Sequence, residues 1–498
     1  MSERTGPGAD WSEERGASDE GRRRSEGGMR RWAGPRERAE DTVSTPPFRY
    51  EGYHIDPGRG LLTCRYSVGE YRFTEQVTVP AEPGGWDREE VRQAARLVFL
   101  LAGVSYYKTA APPVIDLGDT AVTDTEREFL RSFYLDGLAE FGYRNGLDLS
   151  GLRIEGPSRS GSAPGAAPPA GPGRPLVPFG GGIDSIVTAE MIRERAGPAL
   201  FIVSRPGDRF DAIERPAAVT GLPILRAERE IDPQLLRSRD LGFLNGHVPV
   251  TGIISAIAVL AAALDGRDAV VMSNEWSASI PTLEVNGSPV NHQYSKSGTF
   301  EAAFRGVLAG SLGPDFAYFS ALRPFSELWV ARRFAALTQY HDTFRSCNRA
   351  FHIDTSRRLD HWCGRCDKCC FIDLILAPFL AAADLERIFG GHEPLADSDM
   401  TGASPASTGD DGSLADKFRS LLGTTPTSKP FECVGEVGEC RAAALLAAQR
   451  PDRAGTKLLQ VLAAELDGLP QLSTPAELLR PLGRHFIPDI YAPDDLLV

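Results

Sequence analysis

Three groups of residues in this chain have the types and spacing for chemistry. The first is Gly180-Gly181-Gly182-Ile183-Asp184-Ser185. Consecutive glycines let the backbone turn tightly and present N–H groups to an anion at the positive end of a following helix. Ser185 adds a hydroxyl donor, and Asp184 a carboxylate able to position Mg2+ or an attacking group. The second group joins Ser273-Asn274-Glu275-Trp276 to Val290-Asn291-His292-Gln293-Tyr294-Ser295-Lys296-Ser297. There Glu275 can ligate Mg2+ or act as a base, His292 can transfer a proton near neutral pH, and Lys296 can hold a phosphate or carboxylate. The third is the C-x2-C-x2-C run of Cys363, Cys366 and Cys369, with Cys347 upstream as a fourth thiolate for a tetrahedral Zn2+ site.

Each group has a plainer alternative. The glycines can be a strand-to-helix turn with no ligand, and the second group a solvated loop before a helix capped by Ser297. The cysteines can hold an iron–sulfur cluster or no metal. Cys370, next to the apolar run from Phe371 to Leu380, reads as a buried structural thiol. A smaller cluster, Lys429-Pro430-Phe431-Glu432-Cys433, combines lysine, carboxylate and thiol, or is a surface turn.

The elements that must position these groups follow from periodicity. Residues 1–45 are polar and charged and are expected to form a disordered tail. Three alternating runs, Phe48 to Ile55, Leu61 to Tyr66 and Tyr71 to Val79, predict an antiparallel meander. Helices are expected over Trp86 to Tyr107 and Thr123 to Tyr143, completing an N-terminal α+β domain over 46–150. The Gly/Pro/Ser/Ala-rich segment 151–175 predicts a flexible linker. From Leu176 strand and helix signals alternate: strands Leu176 to Phe179, Ala199 to Ser204, Pro223 to Ala227 and Ala269 to Ser273, and helices Ser185 to Arg195, Phe210 to Thr220 and Val248 to Leu264. That alternation predicts an α/β fold over 176–345, a parallel sheet with helices on both faces and ligands at the carboxyl ends of its strands. The cysteine cluster and a helical region, patterned around Leu414 to Leu422 and Arg441 to Ala448, occupy 346–498.

Composition narrows the function. The chain has 498 residues, room for two or three domains, and 67 acidic against 54 basic residues for a net charge of −13. That balance argues against nucleic acid as a main partner. Eight cysteines, half of them between Cys363 and Cys370, suit metal or redox chemistry in a reducing compartment. The polar N-terminus shows no signal-peptide pattern, and Val248 to Leu264 is too short and too interrupted for a comfortable membrane span. The expectation is a cytoplasmic protein with no membrane partner; oligomeric state is left open.

The glycine loop lacks Gly-x4-Gly-Lys-Ser/Thr and the Gly-x-Gly-x-x-Gly fingerprint. It resembles the SGGxDS loop of the ATP pyrophosphatases (PP-loop enzymes), with Gly180 at the first, serine position. The cysteine cluster is similar to the zinc knot of one of these, 7-cyano-7-deazaguanine synthase. Adding Gly103-Val104-Ser105-Tyr106-Tyr107-Lys108, Leu322-Arg323-Pro324-Phe325-Ser326-Glu327-Leu328 and the Cys433 segment, the chain from Phe48 onward resembles the UDP-N-acetylmuramoyl-L-alanyl-L-glutamate epimerase family. Ile183 stands where that family is expected to have lysine and Trp276 where arginine is expected, so phosphate contact would fall to Lys296 or Arg323.

The resemblance implies a PP-loop ATP pyrophosphatase (adenine nucleotide alpha hydrolase-like) sheet. It also implies ATP-dependent inversion of the terminal glutamate of a UDP-linked muramoyl dipeptide through an acyl-adenylate, with AMP and diphosphate released. In it Gly180, Gly181, Gly182 and Ser185 hold the pyrophosphate, Asp184 and Glu275 bind Mg2+, and His292 with Tyr294 or Cys433 is the acid/base pair. Cys347, Cys363, Cys366 and Cys369 hold a structural Zn2+. A deazaguanine- or tRNA-modifying PP-loop enzyme and a non-catalytic nucleotide-binding module are the other readings.

Overall fold

The computed structural model describes residues 46–82, 84–161, 173–285, 287–352, 354–396, 413–425, 434–470 and 472–496. Its strands in chain order are β1 (Phe48–Asp56), β2 (Leu61–Val68), β3 (Tyr71–Thr78), β4 (Val114–Asp116), β5 (Arg153–Glu155) and β6 (Pro175–Pro178). They continue with β7 (Ala199–Ser204), β8 (Ile224–Glu230), β9 (Ala269–Met272), β10 (Leu283–Val285), β11 (Ser288–Val290) and β12 (Ala317–Ser320). Ten of them form one sheet in the order β12-β9-β6-β7-β8-β3-β2-β1-β4-β5, and β10 with β11 makes a separate hairpin.

The expected meander is β1 to β3, and the alternating stretch supplies the parallel strands β6 to β9. They share one sheet, because β3 pairs antiparallel with β8, Gln76 opposite Glu230. The segment read as a linker gives β5 at the sheet edge and the first residue of β6, while 162–172 lie outside the described residues.

Strand order explains where a ligand would sit. The helix Ile183–Arg193 carries the chain from β6 to β7, and Asp211–Thr220 from β7 to β8. The chain then returns through Val250–Leu264 to β9 on the other side of β6. The connections leave in opposite directions at the carboxyl edge between β6 and β9, the place where open α/β sheets bind their ligands. Alternate strand residues feed two cores: Val177, Leu200, Ile202 and Val271 pack on the face of the first two helices, and Leu176, Phe201, Val270 and Met272 on that of Val250–Leu264.

The helix expected over Thr123 to Tyr143 is two, Asp124–Leu135 and Ala139–Asn145. Thr123 and Glu126 form a reciprocal cap at the first one's start. The break falls at Gly137, where a Cβ would stand 2.3 Å from the Phe133 carbonyl oxygen and 2.7 Å from Pro249 Cγ. The helix expected from Trp86 likewise divides, into a short turn, Glu89–Ala102 and Val104–Tyr107.

Candidate functional site

The glycine loop leaves β6 at its carboxyl end. Gly181 has φ of 76°, and a Cβ there would lie 2.2 Å from the Ala212 carbonyl oxygen, so the position requires glycine twice over. A Cβ on Gly182 would meet Ser346 Oγ at 2.9 Å, whereas Gly180 faces open space within 4 Å. Gly182 caps the helix Ile183–Arg193, and Ser185 Oγ donates to the Gly182 carbonyl at 3.1 Å. Ile183, at the expected lysine position, is buried in the core.

Asp184, at the start of that helix, meets two carboxylates from neighbouring strand ends. Ligand oxygens of Asp184, Glu275 and Glu327 all lie within 4.8 Å of one another. Glu275 follows β9, held by Asn274 N–H donating to Ser320 Oγ at 2.7 Å and by Trp276 N–H donating to the Phe325 carbonyl at 2.8 Å. Glu327 opens the helix Glu327–Ala335, capped by Ser326, and its N–H donates to Glu439 Oε1 at 2.9 Å.

Both Glu275 and Glu327 are 3 % exposed, and among the described residues Glu327 Oε2 has no hydrogen-bond partner. Burial, then the charges of Asp184 and Glu275, push the Glu327 carboxyl well above the usual range; burial chiefly pushes Glu439 up to about 7. Packed carboxylates with an orphaned oxygen are a set of hard donors that suits Mg2+.

His292 belongs to a second cluster, with Glu140 and His247. Its Nδ1 pairs with Glu140 Oε2, and its ring packs on His247 with centroids 4.2 Å apart. Tyr294 is 6 % exposed beside Phe300, and among the described residues its hydroxyl has no hydrogen-bond partner. Burial and the neighbouring Asp136 push its phenol up. Lys296 Nζ reaches Gln293 Oε1 at 3.3 Å.

Arg323 ties the backbone at Glu275 to that at Lys296. It donates to Glu301 Oε2 at 2.9 Å, the Glu275 carbonyl at 2.8 Å, Ser279 Oγ at 3.3 Å and the Lys296 carbonyl. Its guanidinium, 3 % exposed, is thus engaged with four internal acceptors. Sequence reasoning quoted Glu327 without giving it a role and missed Glu140, His247 and Glu439. Glu327 has a local signal, an acidic residue behind a serine cap; Glu140 and His247 have none.

The sulfurs of Cys347, Cys363, Cys366 and Cys369 also come within 4.8 Å of one another, with Cys363 to Cys369 at 3.7 Å and Cys366 to Cys369 at 3.4 Å. Four thiols this close fit tetrahedral Zn2+, whose ~2.3 Å bonds place sulfurs just under ~4 Å apart. Cys370 is buried in the helix Asp367–Leu376, away from this set. Cys433 lies outside the described residues, and among those described no helix is long and apolar enough to cross a membrane.

Fold and site together define an α/β protein with a glycine loop leading into a carboxylate cluster, and a separate histidine–carboxylate pair. Within that class the chain belongs to the MurL family: residues 39–321 match the MurL N-terminal domain and 343–477 the MurL C-terminal domain. It is 40 % identical over 419 residues, 83 % of this chain and 88 % of the relative, to a Xanthomonas oryzae protein named UDP-N-acetyl-alpha-D-muramoyl-L-alanyl-L-glutamate epimerase. Proteins of the same name from Salinispora tropica and a Micromonospora species are 39 % and 38 % identical over 465 residues, 89 % of this chain and 94 % and 96 % of theirs.

Proposed function

We propose that this chain inverts the terminal L-glutamate of UDP-N-acetylmuramoyl-L-alanyl-L-glutamate. The reaction consumes ATP, passes through an acyl-adenylate and releases AMP and diphosphate, as a step in making peptidoglycan precursor. The names of its relatives support the substrate. Support for ATP chemistry comes from one observation: the glycine loop, at a helix N-terminus, carries Asp184 into a buried carboxylate cluster.

An ionised carboxylate beside Cα leaves the α-hydrogen very weakly acidic. Adenylation removes that charge, and the carbonyl oxygen can then accept the electron pair left when the proton departs. The N–H groups of Gly180 to Gly182, with Ser185, hold the departing diphosphate. Asp184, Glu275 and Glu327 would hold Mg2+, which supplies charge neutralisation at the phosphates when bound. His292 takes the α-proton on one face. Tyr294, whose raised phenol keeps its proton, or Cys433 returns one on the other. Water then releases AMP and the D-glutamyl product.

The test is to incubate the protein with ATP, Mg2+ and the UDP-linked dipeptide, hydrolyse the product and resolve the glutamate on a chiral column. D-glutamate with matching AMP is expected. D-glutamate formed equally without ATP would refute the adenylation, and AMP with only L-glutamate would refute the epimerisation.

A further inference from the structure

Glu140 and His247 come from separate segments and meet at His292, and Lys108, from a third, holds the loop that carries His247. Glu140 lies on the short helix re-aimed by the break at Gly137. Its Oε1 is 2.6 Å from Arg144 Nε, and its side chain is 4 % exposed against 13 % for His292. The loop bearing His247 is stapled from two sides. Lys108 Nζ donates to Asn245 Oδ1 at 2.7 Å and to the Gly246 carbonyl at 3.0 Å. Asn145 Nδ2 donates to the Asn245 carbonyl at 3.0 Å. Gly246, at φ of 151°, lets the loop approach Phe141, where a Cβ would lie 3.1 Å from Cδ2. The Gly103 to Lys108 motif thereby acquires a use: its terminal lysine holds the loop that presses His247 onto the His292 ring.

An ionised carboxylate has no proton to give, so the Glu140 contact fixes the hydrogen of His292 on Nδ1 and the lone pair on Nε2. Glu140 is held ionised: burial pushes its carboxyl up, but the hydrogen bond from His292 and the Arg144 guanidinium bring it below the usual range. Burial chiefly, with the nearby ammonium groups of Lys108 and Lys296, pushes His247 down to about 3, so its ring packs as a neutral partner. Glu140, His247 and His292 are also a donor set for a metal. The positive charges of Lys108, Arg144 and Lys296 around them weigh against a dication.

We propose that Glu140, with His247 and Lys108 behind it, is the positioning assembly that orients His292 Nε2 toward the glutamate α-hydrogen. This rests on the proposed function. In the step it serves, Nε2 takes the α-proton while the C–H electron pair moves onto the oxygen of the activated carbonyl. Glu140 touches neither substrate nor proton in transit.

The experiment compares wild type, E140Q and E140D in deuterated water, following AMP release and deuterium entry at the glutamate α-carbon, with metal content by mass spectrometry. In E140Q deuterium entry should fall roughly 10- to 100-fold, and AMP release by less than about threefold. E140D should recover part of the lost exchange. Unchanged deuterium entry in E140Q overturns the proposal, and so does equal loss of both signals in E140Q and E140D, since a purely structural role moves them together. Loss of a zinc equivalent in E140Q would overturn it in favour of a metal site. Absence of deuterium entry in wild type would instead refute the proposed function.

Discussion

Gly182 of the glycine loop lies against Ser346, so closely that a Cβ on the glycine would stand 2.9 Å from the serine Oγ. Ser346 immediately precedes Cys347, one of the four clustered thiols. The knot thus buttresses the loop from behind. Replacing Cys366 with serine should remove one zinc equivalent per chain and weaken ATP binding about tenfold. Metal analysis with calorimetric titration of ATP checks this; unchanged ATP affinity in a zinc-free protein would show that the loop needs no buttress.

The loop glycines should not be equivalent. Gly181→Ala forces a side chain into a left-handed backbone against the Ala212 carbonyl, and should cost roughly 2 kcal/mol or more of stability and abolish AMP release. Gly180→Ala enters open space and should unfold within about 0.5 kcal/mol of wild type. Denaturant unfolding of both variants separates these outcomes.

Glu327 packs a carboxylate with an orphaned oxygen against Asp184 and Glu275. Glu327→Gln removes the cost of burying an ionisable carboxyl there, so the Mg2+-free protein should be about 1 kcal/mol more stable while ATP turnover collapses. Thermal melting with and without Mg2+ checks it: Mg2+ should raise the melting temperature of wild type and leave the variant unmoved.

Acid stability should depend on Glu126. Burial pushes its carboxyl up, but hydrogen bonds from Arg96 and Arg159 outweigh that and hold it at about 2, below its ordinary 4.5. A carboxyl depressed on folding contributes stability that is present above about pH 4.5 and lost as pH falls toward 2. The contribution is at most about 3 kcal/mol. Between these pH values Glu126→Gln should show a shallower fall in unfolding free energy than wild type, measured by urea titration.

What was legible in the sequence was local. The meander, β6 to β9 and the glycine loop carry period-two runs, apolar blocks and Gly/Pro punctuation, and their bounds moved by only a few residues. Strands β4, β5, β10 and β11 have three residues each, too few to carry a period. The join of β3 to β8 is a pairing across the chain that no local pattern encodes. Spacing picked out the four thiols, and chemistry picked out Asp184, Glu275 and His292. Glu140 stands 152 positions from His292, on a helix re-aimed by Gly137, and only the folded chain reveals what it touches. Arg323 read, with Lys296, as a candidate for phosphate contact because its charge is visible in sequence; its four internal acceptors are not.

The most direct test of the central claim follows AMP release and α-deuterium in the same wild-type reaction, with ATP, Mg2+ and UDP-N-acetylmuramoyl-L-alanyl-L-glutamate in deuterated water. The account predicts that both appear together and that neither appears when ATP or the dipeptide substrate is left out. Deuterium entering at the full rate without ATP would contradict it, because the α-proton would then be leaving from an unactivated carboxylate.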